Sequence, residues 1–225
     1  MSEMRIAMIT RRFWPLVGGA EVVMANLATE FQRLGVKPTL LTAQWDTTWP
    51  KHFKHRDVEV QRLPNPDRRG WGTFMYMDAL SQWLRKNRDV YDIAFVSMLK
   101  HSAYSAVTAC RKQRQSVVLR VEGGGDTGDC NWHNTARFGS RIRRRCKLAD
   151  AVIAPSQATH DELVDAQFPL NKIHHIPNGV ALGTQPRTTE AIVSARQTLA
   201  QNHRDFTSHP DHKVSVYTGR LTRNK

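Results

Sequence analysis

Apolar positions along this chain fall into two spacings that alternate. Short apolar runs predict buried strands at Arg5–Thr10, Thr39–Thr42, Val58–Leu63, Ile93–Met98, Ser116–Val121, Ala151–Ala154 and Lys172–Ile176. Between them, apolar residues recur at helical spacing. Val23, Leu27, Phe31 and Leu34 predict a helix over 20–34, which Gly35 terminates. Met77, Leu80 and Leu84 predict one face of a helix over 73–86. Further helices are expected at 102–113, 134–148 and 157–166, the last with Ser156 as N-cap. Strand–helix alternation of this kind predicts an α/β fold, a doubly wound Rossmann-like parallel sheet.

The texture changes after Val180. A polar stretch from Gly183 to Thr189 reads as a linker, 190–201 as a helix, and 214–218 as one more strand. The expected organisation is a Rossmann-like domain over 1–183, a linker and helix over 184–212, and the opening of a second domain over 213–225. A strand so placed normally feeds a helix, so the chain is expected to be truncated or half of a split protein.

Candidate chemistry lies where strands end, the edge at which open α/β sheets hold ligands. The loop after the first strand, Phe13-Trp-Pro-Leu-Val-Gly-Gly-Ala-Glu21, brings Gly18 and Gly19 to a helix start. Glycines admit close backbone approach, and a helix N-terminus attracts an anion. This is not the Gly-x-Gly-x-x-Gly dinucleotide pattern, and no acidic residue closes the second strand near Thr42, which counts against a nicotinamide oxidoreductase. A second loop, Glu122 to Asp129, supplies three carboxylates: Glu122, Asp126 and Asp129. They can accept hydrogen bonds from hydroxyls or act as a base, while either Asp can instead cap the next helix. His101, just past a strand, is a candidate ligand contact or merely a helix start. In the tail, Arg220 and Lys225 follow Gly219 and suit a diphosphate.

Charge adds a further class of partner. The chain has 33 Lys plus Arg against 20 Asp plus Glu, a formal +13. Arg141, Arg143, Arg144, Arg145 and Lys147 concentrate part of it on the expected basic helix, which suits anionic lipid or a solvated face. Interleaved aromatics and nucleic-acid motifs are missing from that run, so nucleic acid is not expected. The three cysteines are odd in number and widely spaced, which does not make a disulfide framework. Cys130-x-x-His133 lacks a second ligand pair, so buried thiols and no metal are expected. No apolar run approaches the ~20 residues of a membrane span, and the start lacks a signal-peptide layout. A cytoplasmic protein is expected, or one peripheral at the inner membrane face.

Four segments together resemble glycosyltransferase family 4, of GT-B fold. They are Phe13-x-Pro15-x-x-Gly18-Gly19-x-Glu21, Ala149-Asp-Ala-Val-Ile-Ala-Pro-Ser156, Ile176-Pro-Asn-Gly-Val180 and Gly219-Arg-Leu-x-x-x-Lys225. The resemblance implies transfer of a sugar from a nucleotide diphosphate sugar to a glycan or lipid-linked acceptor hydroxyl, with retention and without a metal cofactor. It implies an N-terminal half that holds the acceptor and a C-terminal half that holds the donor; the latter is expected either to be lost by truncation or to be completed by a partner chain. Glu122, Arg220 and Lys225 then become the candidate catalytic residues. Gly18, Gly19, Glu21, His101 and Asp126 become the candidate binding residues. Where many family members carry a His at a strand end, this chain has Glu122. The competing expectation is a non-catalytic module that binds an acceptor or a membrane surface.

Overall fold

The structure is a computed structural model, which describes residues 3–67, 71–179, 188–209 and 211–214. The chain divides into two compact units, Met1–Asn178 and Gly179–Lys225.

The first unit is a mostly parallel sheet covered by helices. Its strands are β1 (Arg5–Ile9), β2 (Lys37–Ala43), β3 (His52–His55), β4 (Val58–Leu63), β5 (Ile93–Ser97), β6 (Ser116–Arg120), β7 (Ala151–Ala154) and β8 (Ile173–His175). Their spatial order is β3-β4-β2-β1-β5-β6-β7-β8, and only β3 runs antiparallel. The chain winds outward from β1 through β2 to β4, then crosses back to place β5 on β1's other side. The β1–β5 junction is therefore the topological switch point, where a crevice opens beyond the strand ends.

The central strands are continuous apolar runs because both faces are covered. Ile6, Met8, Leu40 and Phe95 pack under α1 (Gly19–Arg33), while Ala7, Ile9, Leu41 and Val96 face the opposite core. That second face carries α2 (Trp71–Lys86), α3 (His101–Gln113), α4 (Asp129–Thr135), α5 (Gly139–Cys146) and α6 (Gln157–Asp165). Ser156 caps α6 as expected, in a capping box with Thr159.

Two local expectations are corrected, and one strand was not expected. The helix expected over 134–148 is two helices, α4 and α5, separated at Ala136–Phe138. A Cβ at Gly139 would run into the His133 carbonyl, so the glycine permits a close crossing between them. In α2 the buried face is Tyr76, Leu80 and Leu84, and Met77 is only half-buried. Strand β3 carried no strong pattern. It pairs with β4 through Arg56 and Asp57, both at positive φ, a turn usually marked by Asn-Gly.

In the second unit, α7 (Thr189–Asn202) is capped by Thr188, whose hydroxyl accepts from the Ala191 N–H at 3.2 Å. Residues 183–187 of the expected linker and 215–218 of the strand expected at 214–218 lie outside the described residues. Among the described residues, no helix is long and apolar enough to cross a membrane.

Candidate functional site

Two helix starts flank the switch point. Gly18 is the N-cap of α1 in extended backbone that any residue can adopt, with no side-chain cap. The first N–H groups of that helix are thus left for a ligand or water. A Cβ at Gly19 would meet nothing within 4 Å, so this glycine leaves open space rather than relieving an internal clash. Glu21 is buried in the first turn, 4.0 Å from Arg12. On the other side, α3 begins after Lys100, and Met98 turns the chain at positive φ. Its own start also lacks a side-chain cap.

His101 opens α3 with its ring edge-on to Trp132 at 5.1 Å. Its pKa is lowered, first by burial and then by Arg11 and Lys100. The ring is therefore neutral at neutral pH and can accept or donate a hydrogen bond.

The loop before α1 is built on arginines that the sequence patterns did not single out. Arg11 donates to Asn65 at 3.1 Å and Thr73 at 2.9 Å, with its guanidinium 5.2 Å from the Trp45 ring and 5.4 Å from the Tyr76 ring. Arg62, at the end of β4, donates to the Trp14 carbonyl at 2.7 Å and the Pro50 carbonyl at 2.5 Å. It lies 4.2 Å from the Phe53 ring centre. Burial lowers the pKa of both arginines. One signal was available: a charged residue at the end of an apolar buried strand must find partners there.

The β6 side is ionic. Arg120, only 3% exposed, donates to Glu122 and to Asn178. Ser97 donates to the same Glu122 oxygen, Oε1, at 2.7 Å, and Glu122 Oε2 accepts no hydrogen bond among the described residues. Burial raises the Glu122 pKa against the pull of Arg120 and Ser97. Asp129 is no N-cap. It is the first residue of α4, and its carboxylate accepts the Glu122 N–H at 3.0 Å and pairs with Lys100 at 3.8 Å. Burial raises its pKa too.

The structure therefore gathers Gly18, Gly19, Glu21, His101 and Glu122 at one sheet edge. Asp126 departs from them. It is exposed, and it lines a side cleft of about 490 Å³ with Cys130, Asn131, Arg143 and Glu162. The arginines of α5 also separate. Arg143 donates to Asn134 at 2.9 Å in that cleft, Arg141 and Arg145 lie against Tyr104, Arg144 is exposed, and Lys147 lies over Phe168. Arg220 and Lys225 lie outside the described residues.

All three cysteines are free and buried. His133 is buried as well. Its Nε2 must donate to the Leu99 carbonyl at 2.5 Å, since a carbonyl only accepts, and Nδ1 is left without a partner. Among the described residues, no group of three or more His, Cys, Asp or Glu is placed to hold a metal ion.

The model of Glycosyltransferase Family 4 matches residues 17–183, more than half the chain. The chain belongs to this family. Its fold is correspondingly similar to sucrose-phosphate synthase from Thermosynechococcus elongatus, at TM-score 0.65 and 15% identity over 88% of this chain and 53% of that one. HepE of Anabaena, solved with UDP-glucose, gives TM-score 0.63 and 17% identity over 89% of this chain and 51% of that one. A UDP-N-acetylglucosamine 2-epimerase from Listeria monocytogenes, described as putative, gives 0.53 and 15% over 77% and 44%. At such identities the likeness carries the fold alone. The chain spans about half the length of the first two structures. No curated protein sequence matches.

Proposed function

We propose that this chain is the acceptor-side half of a retaining glycosyltransferase that moves a hexose from a nucleotide diphosphate sugar to a hydroxyl acceptor. The observation that carries the reading is the uncapped start of α1 at the switch point, with open space beyond Gly19, in a chain of this family. A diphosphate is the kind of ligand such a start favours. The acceptor oxygen bonds to the anomeric carbon as the bond from that carbon to the diphosphate breaks. The hydroxyl proton passes to the departing phosphate oxygen.

In this reading Glu122 Oε2 accepts a hydrogen bond from an acceptor hydroxyl, because Oε1 is already held by Ser97 and Arg120. His101, neutral, adds a second contact on the α3 side. Arg220 and Lys225 neutralise the leaving diphosphate electrostatically, which is why the reading needs no metal. The remaining donor contacts come from the C-terminal half of the GT-B fold. Free buried thiols suit a reducing cytoplasm.

Saturation-transfer NMR with UDP-, GDP- and ADP-sugars tests the donor contact. UDP-glucose comes first because HepE was solved with it. Binding that Arg220→Ala weakens supports the donor role of the tail. Adding a matching C-terminal half in trans is expected to start transfer with retained anomeric configuration. An inverted product, or no transfer with any donor once both halves are present, overturns the reading.

A further inference from the structure

Helices α2, α3 and α5 pack side by side on one face of the sheet, with α3 in the middle. The starts of α2 and α3 follow the ends of parallel strands and so lie at one edge, while α5 starts after α4 and meets the first turn of α3 through Arg141 and Arg145 at Tyr104. Two of those starts present large apolar side chains to solvent. Trp71 is 63% exposed and Phe74 61%, their rings edge-to-face at 6.0 Å, with exposed Met75 beside them. They occupy the outer side of α2, opposite buried Tyr76 and Leu80. At the start of α5, Phe138 is 55% exposed, with the Arg137 guanidinium 5.3 Å from its ring. A solvated helix surface has no need of these residues, and together they form apolar tips on a polar body.

Between and beside the tips the surface is basic. Helix α5, Gly139–Cys146, contains no carboxylate. Arg141 and Arg145 lie 5.9 and 5.6 Å from the Tyr104 ring of α3, and Arg144 is exposed. Among the described residues none of these three has a carboxylate within 4.0 Å. The first turn of α2 also lacks an acidic residue; Asp78, the next carboxylate, accepts from Gln82 at 2.7 Å one turn further on. Arg143 points elsewhere, into the cleft with Glu162 and Asp165.

We infer that this face docks on an anionic lipid bilayer, with Trp71, Phe74, Met75 and Phe138 inserted at the headgroup level and Arg141, Arg144 and Arg145 over the lipid phosphates. The charge argument selects the occupant: unpaired guanidinium groups flanking aromatic tips, on a chain of net +13, complement a negative interface. An aromatic ring with one polar handle is stable at that depth, and arginine reaches the phosphates from its apolar stem. Vesicle binding is read without donor or acceptor, so its test does not depend on sugar transfer.

Vesicle flotation of the full chain tests this. One set of vesicles is phosphatidylcholine alone, and the other contains about a third phosphatidylglycerol, in the compositional range where surface potential acts. Binding is expected only to the anionic set and is expected to weaken as salt rises. Arg144→Gln is expected to weaken it about fivefold, because one guanidinium no longer meets a lipid phosphate. Arg143→Gln is expected to leave it unchanged. The double variant Trp71→Ser and Phe74→Ser is expected to weaken it at least about tenfold, because less apolar surface enters the bilayer. It is also expected to abolish a vesicle-induced blue shift of tryptophan emission. All of these side chains except Arg143 lie on the surface, so the variants are expected to keep the wild-type melting temperature. Equal losses for Arg143→Gln and Arg144→Gln would reduce the effect to diffuse charge and overturn the docking face. So would binding to neither vesicle at low salt, or self-association of the chain that the Trp71 and Phe74 substitutions abolish.

Discussion

Two buried arginines stand at the same sheet edge, on opposite sides of the switch point, and they are kept charged by different means. Arg62, ending β4, has no carboxylate. Two carbonyls and the faces of Phe53 and Trp49 replace its water. Arg120, ending β6, has Glu122 as a counter-charge and Asn178 as a second acceptor. The β4 side fixes loop backbone around an isolated cation. The β6 side holds an ion pair, with a carboxylate whose second oxygen is free for a ligand. A buried pair fails harder than a buried single ion when one member is removed, because a charge is then left behind.

The largest expected effect follows from that difference. Arg120→Met orphans Glu122 and is expected to destabilise the first unit by about 3–5 kcal/mol. Urea unfolding measures it, and adding Glu122→Leu in the same chain is expected to recover most of the loss. Arg62→Met leaves no charge behind. It removes donors from two carbonyls and is expected to cost about 1–3 kcal/mol. If the two single variants prove equally destabilising, the contrast between the two sides is wrong.

A pH experiment sharpens the comparison next. His133 is buried and neutral, and burial is the first cause of its lowered pKa. The unfolded ring titrates near the ordinary value of about 6.5. The unfolded state therefore binds more protons just below that pH. The stabilising contribution is complete above it and is lost as pH falls through the folded value. His55 and His101 shift the same way. Glu122 and Asp129 have the opposite sign. Their raised pKa contributes stability below the ordinary carboxylate range, and that is lost as pH rises through the folded values. His133→Gln is expected to flatten the decline of melting temperature between about pH 7 and 5.5, the window set by the unfolded histidine. Glu122→Gln should change the slope only on the acid side.

The smallest expected change in stability is at the candidate site itself. Gly19→Ala meets open space and improves helix propensity, so the melting temperature is expected to hold or rise slightly. Nucleotide-sugar binding, measured by the same NMR transfer signal, is expected to fall severalfold. Unchanged binding would remove the α1 start from the donor site.

Much of this was legible in advance for a physical reason. Strands β1, β5 and β6 are buried on both faces, so their apolar runs are uninterrupted; helix α1 was legible as a helix, but it buries Met24, Ala25 and Ala28, with Val23, Leu27 and Phe31 only partly covered and Leu34 exposed. The Gly18–Gly19 loop could be placed at a strand end because a parallel sheet brings all its ligand-side loops to one edge. Strand β3 was not legible, since it lies at the sheet's edge with a half-exposed pattern and an Arg-Asp turn. The break between α4 and α5 escaped because it depends on the close approach of Gly139 to the His133 backbone.

By itself, the order of apolar runs and helical periods determined the α/β class and the sheet edge at which the candidate residues gather. Those properties are local, repeated along the chain and set by burial. Only the tertiary structure decided which charges meet. It paired Arg120 with Glu122 and Asn178, turned Asp126 and Arg143 into a side cleft, and left Trp71 and Phe74 facing solvent. Such choices depend on distances between residues far apart in sequence, which no local pattern encodes.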